Sequence, residues 1–350
     1  VQTCALPICS VIGDYLVEHP DISLIAFTGS MEVGLRIQEK AAKVQPGQRQ
    51  CKRVIAEMGG KNATIIDDDA DLDEAVLQVL YSAFGFQGQK CSAGSRAYIP
   101  ASLWKEVKDY VGDMLKEIKM GDVQDFTNFV NAVIDEASFD NIMSYIDYAN
   151  QSPDAEVLFG GNGDKSVGYF VEPTVIQTTD PMFKSMVEEI FGPVITIYVY
   201  DDAKYEETLE LCDRTSPYGL TGSIFARDRY AIDKAFNTLR YSAGNFYIND
   251  KPTGAVIAQH LPGTDAVRLR LVGLDIRNRT RLTAPRMVDQ QFCVLAEKFV
   301  ITKKACIFAH RNRLGNWFRT TSGCGAVRLA HLLWEQGVTS SNLVTPTIRK

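Results

Sequence analysis

The sequence predicts an α/β fold in which strands and helices alternate around a mainly parallel sheet. Short runs rich in β-branched and aromatic residues, such as 22–27 and 194–200, are separated by segments with apolar residues at helical spacing. This alternation is typical of crossover connections between parallel strands. With 350 residues the chain is long enough for about two domains, and 45% hydrophobic residues suffice for a globular core.

Composition excludes several functional classes. The formal net charge is −6 and the isoelectric point about 5.4, so we expect no nucleic-acid partner. No apolar run reaches the roughly 18 residues that a membrane span needs, so we expect no membrane partner. Eight cysteines without a CxxC pair, and only four histidines, predict no metal site. Scattered cysteines of this kind suit a reducing compartment.

The first part of the chain contains six predicted elements before residue 85. They are a helix at 13–19, a strand at 22–27, a helix from Thr28 to about Lys43, strands at 52–57 and 63–66, and a helix at 72–84. Asp71 is the expected N-cap of the last helix, since an aspartate can accept a bond from a free N–H of the first turn. Gly85 and Gly88 are expected to end that helix.

The remainder of the matched region continues the alternation. Predicted elements are a strand at 96–99, helices at 103–119 and 136–150, strands at 157–159, 171–176 and 194–200, helices at 204–213 and 229–240, and a strand at 244–249. In the helix at 103–119, apolar residues recur on one face, which predicts a stripe that packs against the core.

Two side chains suggest chemistry. Cys91 lies beside the small residues Ser92, Ala93 and Gly94, which would let a substrate approach the sulfur and leave backbone N–H groups free to bind an oxyanion. We interpret Cys91 as a nucleophile and Glu57, on a glycine turn, as the base that serves it. A lone cysteine is more often a small buried apolar residue, so this hypothesis needs the context of its neighbours.

A second candidate site lies at the start of the helix that follows Thr28. Gly29 and Ser30 would present free N–H groups and the positive end of the helix dipole, which is a suitable seat for a pyrophosphate. An ordinary capped helix would have the same residues.

Four motifs in this order resemble the aldehyde dehydrogenase superfamily. They are Phe27-Thr28-Gly29-Ser30, Glu57-Met58-Gly59-Gly60-Lys61-Asn62, Gly88-Gln89-Lys90-Cys91 and Glu188-Glu189-Ile190-Phe191-Gly192-Pro193. The resemblance covers about residues 11–259 and a short piece near 280–292. It implies an aldehyde dehydrogenase-like α/β fold, with the remnant of a Rossmann-type NAD domain and a complete-looking catalytic domain.

The resemblance also implies roles for individual residues. Cys91 would attack an aldehyde and Glu57 would activate the water that hydrolyses the resulting thioester. NAD is the implied cofactor. The residues implied to contact it are Gly29, Ser30, Met31, Glu32, Val33, Glu189 and Phe191. Family members are homo-oligomers, in bacterial cytoplasm or the mitochondrial matrix.

A finer resemblance, to the subfamily that oxidises L-glutamate γ-semialdehyde (1-pyrroline-5-carboxylate) in proline degradation, rests on three stretches. They are Lys90-Cys91-Ser92-Ala93, the run from Gly168 to Thr174, and the run from Gly244 to Ala255. Implied ligands of the substrate's α-carboxylate are Ser92, Gly254 and Ala255. A backbone N–H or a hydroxyl can bind a carboxylate without a bulky side chain.

The ends of the chain depart from the family. We interpret 1–8 as adapter-derived, 9–56 as the NAD-domain remnant, 57–250 as the thiol domain, 251–293 as anchor loop and C-terminal strand, and 294–350 as an unrelated, disordered tail. Our hypothesis for about residues 260–277 is an out-of-frame translation, and Pro262 stands where the family has a pocket phenylalanine. With the upstream half of the NAD domain absent, we expect this chain to be inactive or nearly so.

Three alternatives stay open from the residues alone. A different non-acylating aldehyde dehydrogenase would share Cys91 and Glu57. A cysteine hydrolase would need a histidine partner, and His19 and His260 are the only histidines in the family-like region. The third alternative is a non-catalytic fragment.

Overall fold

A computed structural model describes residues 6–254 and 307–309, with side chains described for residues 12–254. Within this part of the chain, residues 6–56 and 307–309 belong to one compact unit and residues 57–254 to another.

The first unit has two helices and a three-stranded sheet. Its elements are α1 (Leu6–Glu18), β1 (Ile22–Thr28), α2 (Met31–Ala42), β2 (Arg53–Glu57) and β12 (Ile307–Ala309). Strand β1 is central and pairs antiparallel with β12. Apolar side chains of both helices and of β1 form its core: Val17, Ile22, Ile25, Ile37 and Ala41.

The second unit is built on a seven-stranded sheet. The strands of this sheet are β3 (Asn62–Ile66), β4 (Gly94–Pro100), β5 (Ala155–Phe159), β8 (Thr174–Thr178), β9 (Val194–Tyr200), β10 (Thr221–Phe225) and β11 (Asn245–Ile248). Their order is β11-β10-β3-β4-β9-β8-β5, and all neighbours run parallel except β5, which is antiparallel to β8. The α/β fold with a mainly parallel sheet is confirmed.

Helices cover both faces of this sheet. They are α3 (Leu72–Phe84), α4 (Ala101–Glu117), α5 (Glu136–Gln151), the single turn α6 (Lys184–Val187), α7 (Tyr205–Thr215) and α8 (Arg229–Thr238). Successive residues of a strand point to opposite faces. Accordingly Ile65 packs in a core with α5, α7 and α8, whereas Ile66 packs in a second core with α3 and α4. The predicted apolar stripe of the helix at 103–119 belongs to this second core.

One prediction about strands is wrong, and one strand was not predicted. The strand predicted at 171–176 is two strands, β7 (Phe170–Val171) and β8, which belong to different sheets. Pro173 lies between them and has no N–H to continue a ladder. Strand β10 was not predicted, although it lies inside the sheet between β3 and β11. It contains Gly222 and Ser223, which have low strand propensity, and it is stabilised by its neighbours.

Helix boundaries differ mainly at the first helix. Helix α1 begins at Leu6, whereas the pattern predicted a start at Gly13. The interpretation of residues 1–8 as adapter-derived stays a prediction. The out-of-frame stretch and Pro262 lie outside the described residues. So does the tail predicted to be disordered, except residues 307–309, which form β12 paired with β1; for these three residues the prediction of disorder is wrong.

Candidate active site

The chemical groups predicted in the second unit lie together at one end of the strands of the large sheet. Glu57 is the last residue of β2, just before the glycine turn that leads into β3; the turn that carries Cys91 precedes β4, and the segment with Glu189 precedes β9. Since β3, β4 and β9 are parallel neighbours, the three segments meet at the amino-terminal ends of these strands. A cleft there is lined by Gly60, Gly88, Lys90, Glu189, Phe191 and Gly192.

Cys91 is exposed, as a nucleophile must be. Its turn is fixed by Asn62, whose Nδ2 donates to the carbonyl oxygens of Cys91 and Ala93, both at 2.8 Å. Asn62 is itself held by the Thr221 N–H, which donates to its Oδ1 at 3.0 Å. The amide of Asn62 thus joins the cysteine turn to the start of two strands.

The approach of the chain to Cys91 depends on left-handed backbone. After α3 comes a 3₁₀ turn, Gly85–Gly88, in which Phe86, Gln87 and Gly88 have φ of +59°, +55° and +64°. A Cβ at Gly88 would lie 2.1 Å from the carbonyl oxygen of Gly192. The predicted break of the helix at Gly85 and Gly88 is confirmed, and the contact shows why position 88 needs glycine.

Electrostatics around Cys91 favour the thiol over the thiolate. The pKa of Cys91 is raised by burial of the thiol, by the Glu189 carboxylate and, more weakly, by Glu57. The N–H groups of Ser92 and Cys91 oppose this rise, because they donate toward the sulfur. Burial also raises the pKa of Glu57, which makes its carboxylate a stronger base. A resting thiol that feels the charge of a carboxylate of raised proton affinity is suited to general-base chemistry.

Glu189 rests on the glycine turn that follows Glu57. Its Oε1 accepts from the Gly60 N–H at 2.9 Å, and a Cβ at Gly59 would lie 2.0 Å from its Oε2. Glu188 faces elsewhere, since the Tyr145 hydroxyl donates to its Oε2 at 2.6 Å. The two adjacent glutamates therefore have different surroundings, and only Glu189 lines the cleft.

Phe191 presents an apolar ring at the same cleft. Its backbone is left-handed with φ +59°, and 45% of its side chain is exposed. A carboxylate and an exposed ring side by side fit the polar ribose and flat nicotinamide of a dinucleotide.

The predicted carboxylate anchor is partly assembled. Ser92 Oγ lies 2.7 Å from Thr253 Oγ1, so the loop after β11 returns to the cysteine turn. The next residue, Gly254, is exposed with φ +66°. Ala255 lies outside the described residues.

The predicted pyrophosphate seat belongs to the first unit. Ser30 is the N-cap of α2, and its Oγ accepts from the Val33 N–H at 3.4 Å. Gly29, Ser30, Glu32 and Val33 are exposed and Met31 is half-buried, so the first turn of the helix is open to an anion.

Sequence reasoning missed three residues that shape the site. Asn62 and Lys61 were quoted within a motif but were given no role, and Thr253 was given none either. Lys61 is 2% exposed and its Nζ has no hydrogen-bond partner in the described part of the chain. Burial and then Arg96 lower the pKa of Lys61 to about 7, while Glu189 and Glu188 act in the opposite direction. A lysine that follows two glycines and precedes the polar Asn62 at the start of a strand gave no signal of burial.

Known proteins resemble this chain over most of its described length. A model of the aldehyde dehydrogenase family matches residues 7–265. The mitochondrial delta-1-pyrroline-5-carboxylate dehydrogenase of Dictyostelium discoideum is 53% identical over 251 residues, which are 71% of this chain and 45% of that protein. The 1-pyrroline-5-carboxylate dehydrogenase 1 of Halalkalibacterium halodurans is 45% identical over 261 residues, 73% of this chain and 49% of the relative.

Solved structures show the same likeness. The 1-pyrroline-5-carboxylate dehydrogenase from Thermus with bound NAD superposes with a TM-score of 0.65 at 38% identity, covering 70% of this chain and 46% of that one. The chain thus spans about half the length of the relatives it matches. Within the described residues, every helix is too short or too polar to cross a membrane. Since the matching model spans well over half of the sequence, the chain belongs to the aldehyde dehydrogenase family.

Proposed function

We propose that the protein containing this chain oxidises L-glutamate γ-semialdehyde to L-glutamate with NAD. The observation that carries this proposal is an exposed cysteine within the field of two carboxylates, beside a hydroxyl pair and an open glycine. The names of the relatives support the substrate, and the Thermus structure with bound NAD supports the cofactor.

The first step is attack of the Cys91 sulfur on the aldehyde carbon. The Glu57 carboxylate takes the thiol proton as the carbon–sulfur bond forms and passes it to solvent, and the aldehyde oxygen gains negative charge. The backbone N–H of Cys91 can stabilise that oxygen, because its turn is held by Asn62 from the carbonyl side. The exposed sulfur and the small residues after it leave room for the substrate.

NAD, when bound, would supply the acceptor for the hydride that leaves the carbon as the thioester forms. Glu189 and Phe191 would hold its nicotinamide riboside, and residues 29–33 its adenine-dinucleotide end. Glu189 would accept from a ribose hydroxyl in place of the Gly60 N–H that it now accepts from. Phe191 would pack beside the flat ring and exclude water from it.

Release of the acid is the task of Glu57. Its carboxylate takes a proton from water, the resulting hydroxide attacks the thioester carbonyl, and the Cys91 sulfur leaves. The raised pKa of Glu57 strengthens it as a base in this step. A glutamate in this position favours hydrolysis over transfer of the acyl group to a thiol such as coenzyme A.

The substrate's α-carboxylate is assigned to the Ser92 hydroxyl and the backbone N–H groups of Gly254 and Ala255. The compartment in this proposal is bacterial cytoplasm or the mitochondrial matrix, and the assembly is a homo-oligomer. Size-exclusion chromatography with light scattering of the protein from its complete gene checks the assembly.

Enzyme assays of the protein expressed from its complete gene test the proposal. NADH absorbance at 340 nm is followed with glutamate γ-semialdehyde and with succinate semialdehyde, and Cys91→Ala is the control. We expect kcat/KM to be at least about tenfold higher for glutamate γ-semialdehyde, and Cys91→Ala to abolish turnover. Equal or better use of succinate semialdehyde would assign a different substrate.

Two alternatives have less support. A cysteine hydrolase needs a histidine beside Cys91. The His19 Nδ1 accepts from the Asp21 N–H at 3.2 Å within the first unit, and His260 lies outside the described residues. A non-catalytic fragment would not need an exposed thiol within the field of Glu189 and Glu57.

A further inference from the structure

The loop 250–254 ends in a hydroxyl pair that joins it to the cysteine turn. Thr253 Oγ1 and Ser92 Oγ are 2.7 Å apart, and either atom could be the donor. Thr253 is 1% exposed, whereas Ser92 is half-buried at the edge of the site. One hydroxyl of the pair is therefore sealed inside the protein, and the other is open to a ligand.

Burial favours Thr253 as the donor of this hydrogen bond. A buried O–H that donates to no acceptor costs free energy, and Ser92 Oγ is the acceptor within reach of Thr253. If Thr253 donates, one lone pair of Ser92 is occupied and the Ser92 proton is free to point into the site. Ser92 then offers a donor to an incoming group, and an ionised carboxylate accepts that hydrogen bond more strongly than a neutral amide or hydroxyl oxygen does.

The loop is held where this bond can form. Pro252 packs near Gly94, the first residue of β4: a Cβ at Gly94 would lie 3.6 Å from Pro252 Cγ. Gly254 follows in left-handed conformation and is exposed, so its N–H can reach solvent beside Ser92. Thr253 is thus fixed between a packed proline and an open glycine.

We propose that Thr253 is a positioning residue that orients the Ser92 hydroxyl as a donor to the substrate's carboxylate, and so contributes to selection of carboxylate-bearing aldehydes. This inference rests on the proposed function and extends it to a residue with no contact to the substrate. Thr253 acts through Ser92, so its effect should appear in substrate binding and vanish when Ser92 is changed.

Kinetics of the protein from its complete gene test this inference with Thr253→Val, Thr253→Ser, Ser92→Ala and the double variant. Valine keeps the shape of threonine and removes the hydroxyl, while serine keeps the hydroxyl. We expect Thr253→Val to raise KM for glutamate γ-semialdehyde about tenfold with little change in kcat, and Thr253→Ser to retain nearly normal KM. With butanal, which lacks a carboxylate, kcat/KM should fall much less.

The double variant distinguishes orientation from packing. If Thr253 acts through Ser92, adding Thr253→Val to Ser92→Ala has almost no further effect on KM. Additive effects, or an equal loss with butanal, would overturn the inference and assign Thr253 a purely structural role. Failure of the proposed function looks different, since the unmodified protein would then show no preference for glutamate γ-semialdehyde.

Discussion

At the scale of single residues, the Cys91 thiol is controlled by carboxylates of unequal influence. The Glu189 carboxylate raises the pKa of Cys91 more than the Glu57 carboxylate does. We expect Glu189→Gln to shift the pH profile of Cys91 alkylation by iodoacetamide to lower pH, and Glu57→Gln to shift it less. Mass spectrometry of the chain as printed separates Cys91 from the exposed Cys51.

Glu188→Gln is the matched control for that experiment. Glu188 adjoins Glu189 in sequence but accepts a hydrogen bond from the Tyr145 hydroxyl, and it is not among the groups that shift the pKa of Cys91 most. Its alkylation profile should match that of the unmodified chain. A shift as large as that of Glu189→Gln would contradict the arrangement described here.

Lys61 is buried, and the free-energy cost of holding its charged form in the folded protein depends on pH. Its pKa in the folded state is about 7, against 10.5 for an ordinary lysine. Charging it in the fold is unfavourable, so the cost grows as pH falls from 10.5 to 7 and is complete below 7. We expect Lys61→Met to raise Tm by several degrees at pH 6 and by less at pH 9, in scans by circular dichroism.

The exposed Lys105→Met is the control for general effects of removing a positive charge, and its Tm should change little at either pH. If Lys61→Met instead lowers Tm at pH 6, the ammonium is compensated by Glu188 and Glu189 to a greater extent than its lowered pKa indicates. Since Lys61 acts on Glu189, the same variant should weaken NAD binding in the complete protein.

At the scale of elements, the glycine turn between β2 and β3 holds the site together. A Cβ at Gly60 would lie 2.3 Å from the carbonyl oxygen of Cys91, and backbone atoms cannot move aside easily. We expect Gly60→Ala to displace the cysteine turn, destabilise the protein by about 2 kcal/mol and slow Cys91 alkylation at least about tenfold. Gly85→Ala is the control, because its nearest atom is the flexible Lys90 Nζ at 3.4 Å. Equal effects of both substitutions would contradict this account.

Elements with local signals were predictable, and those that depend on partners were not. Helix α3 was predicted at its observed bounds because its N-cap Asp71, its acidic first turn and its apolar period all lie within the helix. Strand β10 has no such signal, and its buried Ser223 is satisfied by Thr64 Oγ1 at 2.9 Å on the neighbouring strand. Partners of this kind, far apart in sequence, are not visible in a single chain.

The site follows the same division. Cys91 and Glu57 could be proposed from residue type and motif, since chemistry restricts which residues can serve as nucleophile and base. The roles of Asn62 and Thr253 arise from contacts with Cys91, Thr221 and Ser92 that only folding creates. Their assignment therefore required the structure.

At the scale of the whole molecule, the two ends of the strands of the large sheet differ in chemistry. Ligands of open α/β sheets usually bind at the carboxyl ends of the strands, yet Cys91 and Glu189 lie at the amino ends. At the carboxyl end of β3 stand Asp67, Asp68 and Asp69, whose carboxylate oxygens all lie within 4.8 Å of one another. Mutual repulsion at this edge should influence global stability without affecting the cysteine.

Asp67 makes that influence depend on pH. Burial, then Asp68 and Asp69, raise its pKa from 3.8 to about 6, so the folded state favours the protonated carboxyl. Its stabilising effect is full below pH 3.8 and is lost as pH rises through 6.

We therefore expect Asp67→Asn to stabilise the protein by about 2 kcal/mol at pH 8 and hardly at all at pH 4, measured by urea unfolding. The exposed Asp109→Asn should change the free energy of unfolding little at both pH values. Because Asp67 and Cys91 lie at opposite ends of the strands, alkylation of Cys91 in Asp67→Asn should match that of the unmodified chain. A stabilisation equal at pH 4 and pH 8 would show that burial and the neighbouring carboxylates do not raise the pKa of Asp67. It would remove the electrostatic difference between the two ends of the strands.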